Sequence, residues 1–231
     1  MIVLTNDDGI GAPGIQALQS ALEDIDESVI VAPDAPLSGC SHQLNRGGII
    51  PIDQRGPREY AIGGTPADCS RVALSHLYPD ADWVLSGINA GGNMGADTYV
   101  SGTVAAVREA TLLRKPGIAI SQYRYRTQPF DWPRATRLAT RVLRQLMANK
   151  PQPGQFWNVN LPAPPRDDKG AADDPEIVFC KGCSQPLPTD FFVDEAGFRY
   201  VGAYEERLRD PDGDVDVCLS GRISVVNIQL W

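Results

Sequence analysis

The stretch "IVLTNDDGIGAPGIQALQSALEDIDESVIVAPD", residues 2–34, carries two apolar runs separated by a segment of helical length. Ile2 to Leu4 is short and apolar, a glycine-bounded turn follows, and Pro13 suits the first turn of a helix, where its missing N–H costs nothing. Ile15, Leu18, Leu22 and Ile25 then recur at helical spacing and would face a core. Residues 28–34, "SVIVAPD", are apolar again until Pro33. Strand, helix and strand in so short a span predict a βαβ unit and therefore a parallel sheet.

The pattern repeats downstream. In "EYAIGGTPADCSRVALSHL", residues 59–77, Tyr60 to Ile62 is strand-like, and Thr65, Pro66 and Asp68 mark a helix start. "DWVLSGINAGGNMG", residues 82–95, runs from a strand at 83–85 into a glycine-rich loop, and "SGTVAAVREATLL", residues 101–113, opens another helix. "PGIAIS" at 116–121 and "FWNVNLP" at 156–162 read as further strands. Between Pro133 and Pro151, Ala135, Leu138, Ala139, Val142, Leu143 and Leu146 form one apolar helical face.

Prolines and acids cluster at 162–175 as in an exposed connection. Beyond it, Ile177 to Cys180, Phe198 to Val201, Val215 to Leu219 and Ile223 to Ile228 read as strands of a tail too small to fold alone. The expected class is α/β. A Rossmann-like, mostly parallel sheet flanked by helices forms a core over residues 1–161, and residues 162–231 form a β-rich C-terminal extension.

Composition bounds the function. The 231 residues are 42% hydrophobic and 22% charged, enough for one sizeable core, and the net charge is −8 from 29 acidic and 21 basic residues. That balance argues against capture of duplex nucleic acid or a membrane surface, so an anionic ligand needs a local positive site. No apolar run approaches a membrane span and the N-terminus lacks an export signal, which points to the cytoplasm. Five cysteines, at 40, 69, 180, 183 and 218, read as reduced thiols, and the C-x-x-C of Cys180 and Cys183 is half of a zinc site at best.

Asp7 and Asp8 are adjacent carboxylates in the turn after the first strand, and the nearest Lys or Arg in sequence is Arg46. In an open parallel sheet, ligands bind beyond the carboxyl ends of the strands. Four loops fall there: that turn, "LSGCSH" at 37–42, "SGINAGGN" at 86–93 and "SGT" at 101–103. Their carboxylates, hydroxyls and carboxamides are hard oxygen donors of the kind Mg²⁺ or Mn²⁺ takes, and a cation would relieve the aspartate repulsion. Taken alone, "NDDG" fits equally well a helix cap beside a solvent-facing Asp. The start of the helix at Ser101, Gly102 and Thr103 offers amides and a positive dipole to a phosphate, with Asn93 nearby as a donor, although an isolated S-G-T is more often a plain cap. His42 and His76 read as structural side chains.

In order, "TNDDGIGAPGI", "VAPDAPLSGCSH", "GTPADC", "SGINAGGNMG", "YVSGTVAAVREA" and "NVNLP" resemble the SurE family, the stationary-phase survival proteins, over roughly residues 1–161. The resemblance implies a metal-dependent nucleotidase with one divalent ion per subunit (Mg²⁺, Mn²⁺ or Ca²⁺) on Asp7, Asp8, Ser38 and Asn89. It also implies a homodimer or homotetramer built through the C-terminal lobe. "APLSG" stands where a basic "RNRSG" is common, so Leu37 removes a charge beside the metal serine; "GDVDVCLSGRISVVNI" matches the usual C-terminal pattern only loosely.

The expected activity is hydrolysis of nucleoside monophosphates, at the 5′ position with 3′ as the alternative, by metal-activated water, with Asp7 or Asp8 orienting or deprotonating it. The rivals are an aspartyl-phosphate mechanism and a nucleotide-binding regulator without turnover.

Overall fold

The computed structural model describes residues 1–164 and 174–231. The first βαβ unit is present as β1 (Ile2–Thr5), α1 (Pro13–Ser20) and β2 (Ser28–Pro33), with β2 parallel to β1. β3 (Ile52–Gly56) and β4 (Glu59–Ile62) follow, then α2 (Pro66–Val72), which runs on into a π-turn at Ala73–Leu77. β5 (Trp83–Ala90) continues well past the strand expected at 83–85. α3 (Asp97–Val100), α4 (Gly102–Leu112), β6 (Gly117–Gln122), α5 (Trp132–Met147) and β7 (Gln155–Leu161) complete this part of the chain. The last segments are β8 (Ile177–Cys180), β9 (Phe191–Asp194), β10 (Gly197–Tyr200), α6 (Asp214–Leu219) and β11 (Ile223–Gln229).

Nine strands form one sheet in the order β3-β4-β2-β1-β5-β6-β7-β11-β8. β4, β2, β1, β5, β6 and β7 are mutually parallel, as the crossovers require, while β3 and β11 run antiparallel to β4 and β7. Among the described residues β9 and β10 pair only with each other, and Phe191, Phe192, Val193, Phe198 and Tyr200 on them are exposed. From β1 the chain moves outward to β2 and later returns to place β5 on the other side of β1, so the loops after β1 and β5 part at a topological switch point.

Strand alternation divides the core. Ile2 and Leu4 of β1 face the layer that holds α1 and α5, while Val3 faces the layer with Cys69 of α2 and Ala110 of α4. On α5 the six expected apolar residues are all buried, and Asp131 caps its start by accepting from the Arg134 amide at 3.0 Å. The expected start of α2 is also present, as a reciprocal capping box between Thr65 and Asp68.

One expected strand is a helix. Val215 to Leu219 lies in α6, because Gly213 starts a helix whose Val215, Cys218 and Leu219 recur at i, i+3 and i+4 into a small core with Met94 and Tyr123. Asp214 sets this start in place: its carboxylate accepts from the amides of Gly95 at 2.8 Å, Cys183 at 2.7 Å and Val215 at 2.9 Å. The 162–175 connection lies mostly outside the described residues.

The C-terminal segments are fastened to the loop after β5 through buried charge. Asp97 accepts from the Tyr204 hydroxyl at 2.6 Å and from Arg207 Nη1 at 2.7 Å, with the Arg207 side chain fully buried. Removing one partner of such a pair strands the other charge. Arg207→Met is therefore expected to cost about 3 kcal/mol, a fall in Tm of roughly 6–12 °C by calorimetry, with Arg207→Lys losing less; an unchanged Tm for Arg207→Met would show that the pair does not hold these segments.

Candidate active site at the strand ends

β1 delivers Asp7 and Asp8 to the switch point, and each is taken up by a different neighbour. Asp7 is 4% exposed. Its Oδ1 accepts a short hydrogen bond from the Thr103 hydroxyl in the first turn of α4, and its carbonyl accepts from the Leu37 amide at 2.8 Å. Asp8 is half-buried, and its Oδ2 accepts from the Ala90 amide at 3.0 Å. The start of α1 is at Ala12 with no side-chain cap, so neither aspartate is the helix cap that "NDDG" alone would allow.

Close approach of α4 depends on Gly102. A Cβ there would sit 2.8 Å from Asp7 Cβ and 2.9 Å from Asp7 Oδ2. Only a residue without one lets the helix start lie against the carboxylate. Ser101 caps α4 by accepting from the Val104 amide at 3.1 Å, so its hydroxyl has a structural task.

Burial pushes the Asp7 carboxyl up, the neighbouring Asp8 charge adds to that, and the Thr103 hydrogen bonds offset only part of it. The site thus holds a carboxylate whose negative charge the protein compensates only in part. Asn89 donates its Nδ2 to the Gly91 carbonyl at 2.7 Å, which leaves the carboxamide oxygen as its lone-pair donor. Ser38 is exposed on the loop after β2. That loop is tied down on both sides of it, by Leu37 to Asp7 and by Ser41, which donates its amide to Val100 O at 3.1 Å and its hydroxyl to Tyr99 O at 2.8 Å.

Asn93 is turned toward the sheet. Its Nδ2 donates to Ser121 Oγ at 2.9 Å, its amide donates to Asn160 Oδ1 at 2.8 Å, and its carbonyl accepts from Asn158 and Asn160. Asp7, Asp8, Thr103 and the β5 loop end bearing Asn89 are thus joined by direct bonds, while Ser38 is joined through its neighbours and Asn93 braces the loop from below. Among the described residues no three His, Cys, Asp or Glu side chains cluster, so a cation here would draw on two carboxylates completed by hydroxyl, carboxamide and water oxygens. That donor set fits a hard divalent ion.

His42 has a partner that sequence reasoning did not supply. Its Nε2 lies 2.9 Å from Glu109 Oε2, and Arg71 donates to Glu109 Oε1 through Nε at 2.8 Å and Nη2 at 2.6 Å. Glu109 is 1% exposed, two turns along α4 from Thr103, so the clamp fixes the far end of the Ser38 loop to the helix that touches Asp7. The only hint in the sequence is one acid in the apolar helix "TVAAVREATLL".

The chain matches known proteins in sequence and in fold. The model of the family described as "Survival protein SurE" matches residues 2–181. The chain is 47% identical over 229 residues to a protein of Nostoc sp. provisionally named a 5′-nucleotidase, with 99% of each chain covered. It is 34% identical over 232 residues to a protein of Paramagnetospirillum magneticum named 5′-nucleotidase SurE, covering 97% of this chain and 87% of that one. The crystal structure of the SurE protein from Aquifex aeolicus superposes with a TM-score of 0.84 at 28% identity, over 100% of this chain and 93% of that one.

The clamp has a pH signature. Burial alone would raise the Glu109 carboxyl, but the bonds from His42 and Arg71 and the Arg71 charge outweigh it, so its pKa lies below the ordinary 4.5. A lowered carboxyl stabilises the fold above its unfolded pKa, and the contribution is lost as pH falls through the folded value. Glu109→Gln is expected to lower Tm by about 5 °C at pH 7, and the gap should close in melts taken progressively below pH 4.5; a gap independent of pH would contradict the ionised clamp.

Proposed function

The chain belongs to the SurE family, and from that premise we propose that it is a nucleotidase: a phosphomonoesterase acting on nucleoside monophosphates, at the 5′ position with the 3′ position as the alternative, with one divalent ion per subunit. The observation that carries the reading is Asp7, a buried carboxylate with a raised pKa beside a second carboxylate, pressed against the first turn of α4. The names of the relatives from Paramagnetospirillum magneticum and Nostoc sp. support the substrate class.

Asp7, Asp8, Ser38 and Asn89 would hold the ion, which when bound polarises a phosphoryl oxygen and lowers the pKa of water. Every other task falls to the protein. The Gly102 amide in the first turn of α4 receives phosphate oxygens without a Lys or Arg, while Thr103 is committed to Asp7 and sets that turn against the carboxylate. Ser101 keeps that turn open by capping it, and Asn93 serves by bracing the glycine-rich loop. Asp8, the more exposed of the pair, orients the attacking water and takes its proton.

Self-association through residues 162–231 into a dimer or tetramer would cover the exposed aromatic residues of β9 and β10. A cytoplasmic location fits the five unpaired cysteines.

Phosphate release from a nucleotide panel, measured after metal stripping and readdition of Mg²⁺, Mn²⁺ or Ca²⁺, tests the reading. Excess chelator should abolish turnover and Mg²⁺ or Mn²⁺ restore it; full activity in chelator would remove the metal from the mechanism, and nucleotide binding without release would mark a regulator. Asp8→Asn and Asp7→Asn should each cut kcat at least about a hundredfold and abolish stabilisation by Mn²⁺. Either variant turning over at the wild-type rate would refute its role as a ligand.

A further inference from the structure

Asp8 also lines a cleft of about 490 Å³ together with Ala90, Asp34, Arg55 and Trp132. This is within the usual size of a small-molecule site. A larger cavity of about 670 Å³, between Thr98, Arg108, Cys183 and Leu230, includes none of the candidate site residues. The smaller cleft reaches the candidate site at Asp8.

Its most distinctive wall is Trp132, the first residue of α5 and half-buried. The indole is held in place from two directions. Phe130 stacks on it with ring centroids 5.1 Å apart and planes 25° from parallel, and the Arg124 guanidinium lies 4.8 Å over the Phe130 ring. On another side the indole abuts α1 at Gly14, where a Cβ would come within 3.2 Å of Trp132 Cη2 and 1.9 Å of the Ile88 carbonyl oxygen. Ordering an indole before a ligand arrives removes part of the entropic cost of binding. The cleft's guanidinium comes from Arg55 on the edge strand β3, with a loose ion pair to Asp53 at 3.4 Å.

We infer that this cleft is the nucleoside subsite, with Trp132 as the surface on which the base stacks and Arg55 as a donor to base or ribose oxygens. The inference rests on the nucleotidase reading and deepens it. Aromatic stacking accepts any base, because every base has a π face. The charges favour the nucleoside over a second phosphate: with Asp8 committed to the ion, Asp34 balances Arg55 and the cleft keeps no net positive charge for another phosphate. Trp132 is thus a specificity determinant that separates nucleotides from small phosphomonoesters, and the cleft selects monophosphates over di- and triphosphates.

Adenosine, which has no phosphate to lose, is the probe. Calorimetric titration into Mn²⁺-loaded wild type, Trp132→Phe, Trp132→Leu and Arg55→Gln should show about tenfold weaker binding for Trp132→Leu, from the lost stack. Trp132→Phe should stay within about threefold of wild type, and Arg55→Gln, on an exposed strand, should weaken binding about threefold without disturbing the fold. In turnover, Trp132→Leu should raise KM for AMP about tenfold with kcat little changed, and leave kcat/KM for glycerol phosphate at the wild-type value. Adenosine that fails to bind wild type, or binds all four proteins equally, overturns the subsite, as does an equal loss on both substrates. Adenosine binding that depends on Trp132 together with no phosphate release from AMP would instead overturn the nucleotidase reading and leave the subsite standing.

Discussion

Placing two adjacent carboxylates at the end of a buried strand is the constraint on which the remaining structure depends. Burial disfavours the charged form of Asp7, Asp8 disfavours it further, and the hydrogen bonds from Thr103 offset only part of this. A fold gains nothing from such a pair as packing, since an apolar residue at the end of β1 would be cheaper to bury. The proposed cation site would supply the positive charge that this arrangement does not find in the protein.

Many nearby features serve to hold that unfavourable pair in one geometry. The strand order parts the loops after β1 and β5, and the Ala90 amide reaches across to Asp8. Gly102 admits the α4 helix start to within van der Waals range of Asp7, and the same helix carries Glu109, which binds His42 at the far end of the Ser38 loop. Behind the glycine-rich loop, Asn158 and Asn160 support Asn93, while Asp97 and Asp214 tie the loop to the C-terminal segments. The C-terminal residues therefore touch the site's scaffold, although none was expected there from sequence.

Local signals and global ones differed in how legible they were. The β1-α1-β2 unit, the α5 face and the Thr65–Asp68 capping box are written in periodicity and capping chemistry, so they could be read directly. β3, with the sequence "IDQRG", is exposed along nearly all of its length and has no apolar alternation to mark it. Val215 to Leu219 looked like a strand because a five-residue run shows barely one helical turn. The Gly213 start and the task of Asp214 in binding the Gly95 and Cys183 amides come from distant partners. Of the site, the adjacent aspartates and the S-G-T helix start were visible as motifs. Glu109, Arg71, Arg55 and Trp132 were not, since each meets the site through tertiary contact, with no spacing in sequence to announce it.

The central claim is that Asp7 and Asp8 form half of a cation site completed by Ser38 and Asn89. The most direct measurement is a crystal structure of the protein grown with Mn²⁺, with anomalous differences collected to place the ion. A single strong anomalous peak per chain is expected within coordination distance of an oxygen from each of those four side chains, with water filling the remaining positions. A chain with no peak between Asp7 and Asp8, or with its manganese bound elsewhere, would contradict it.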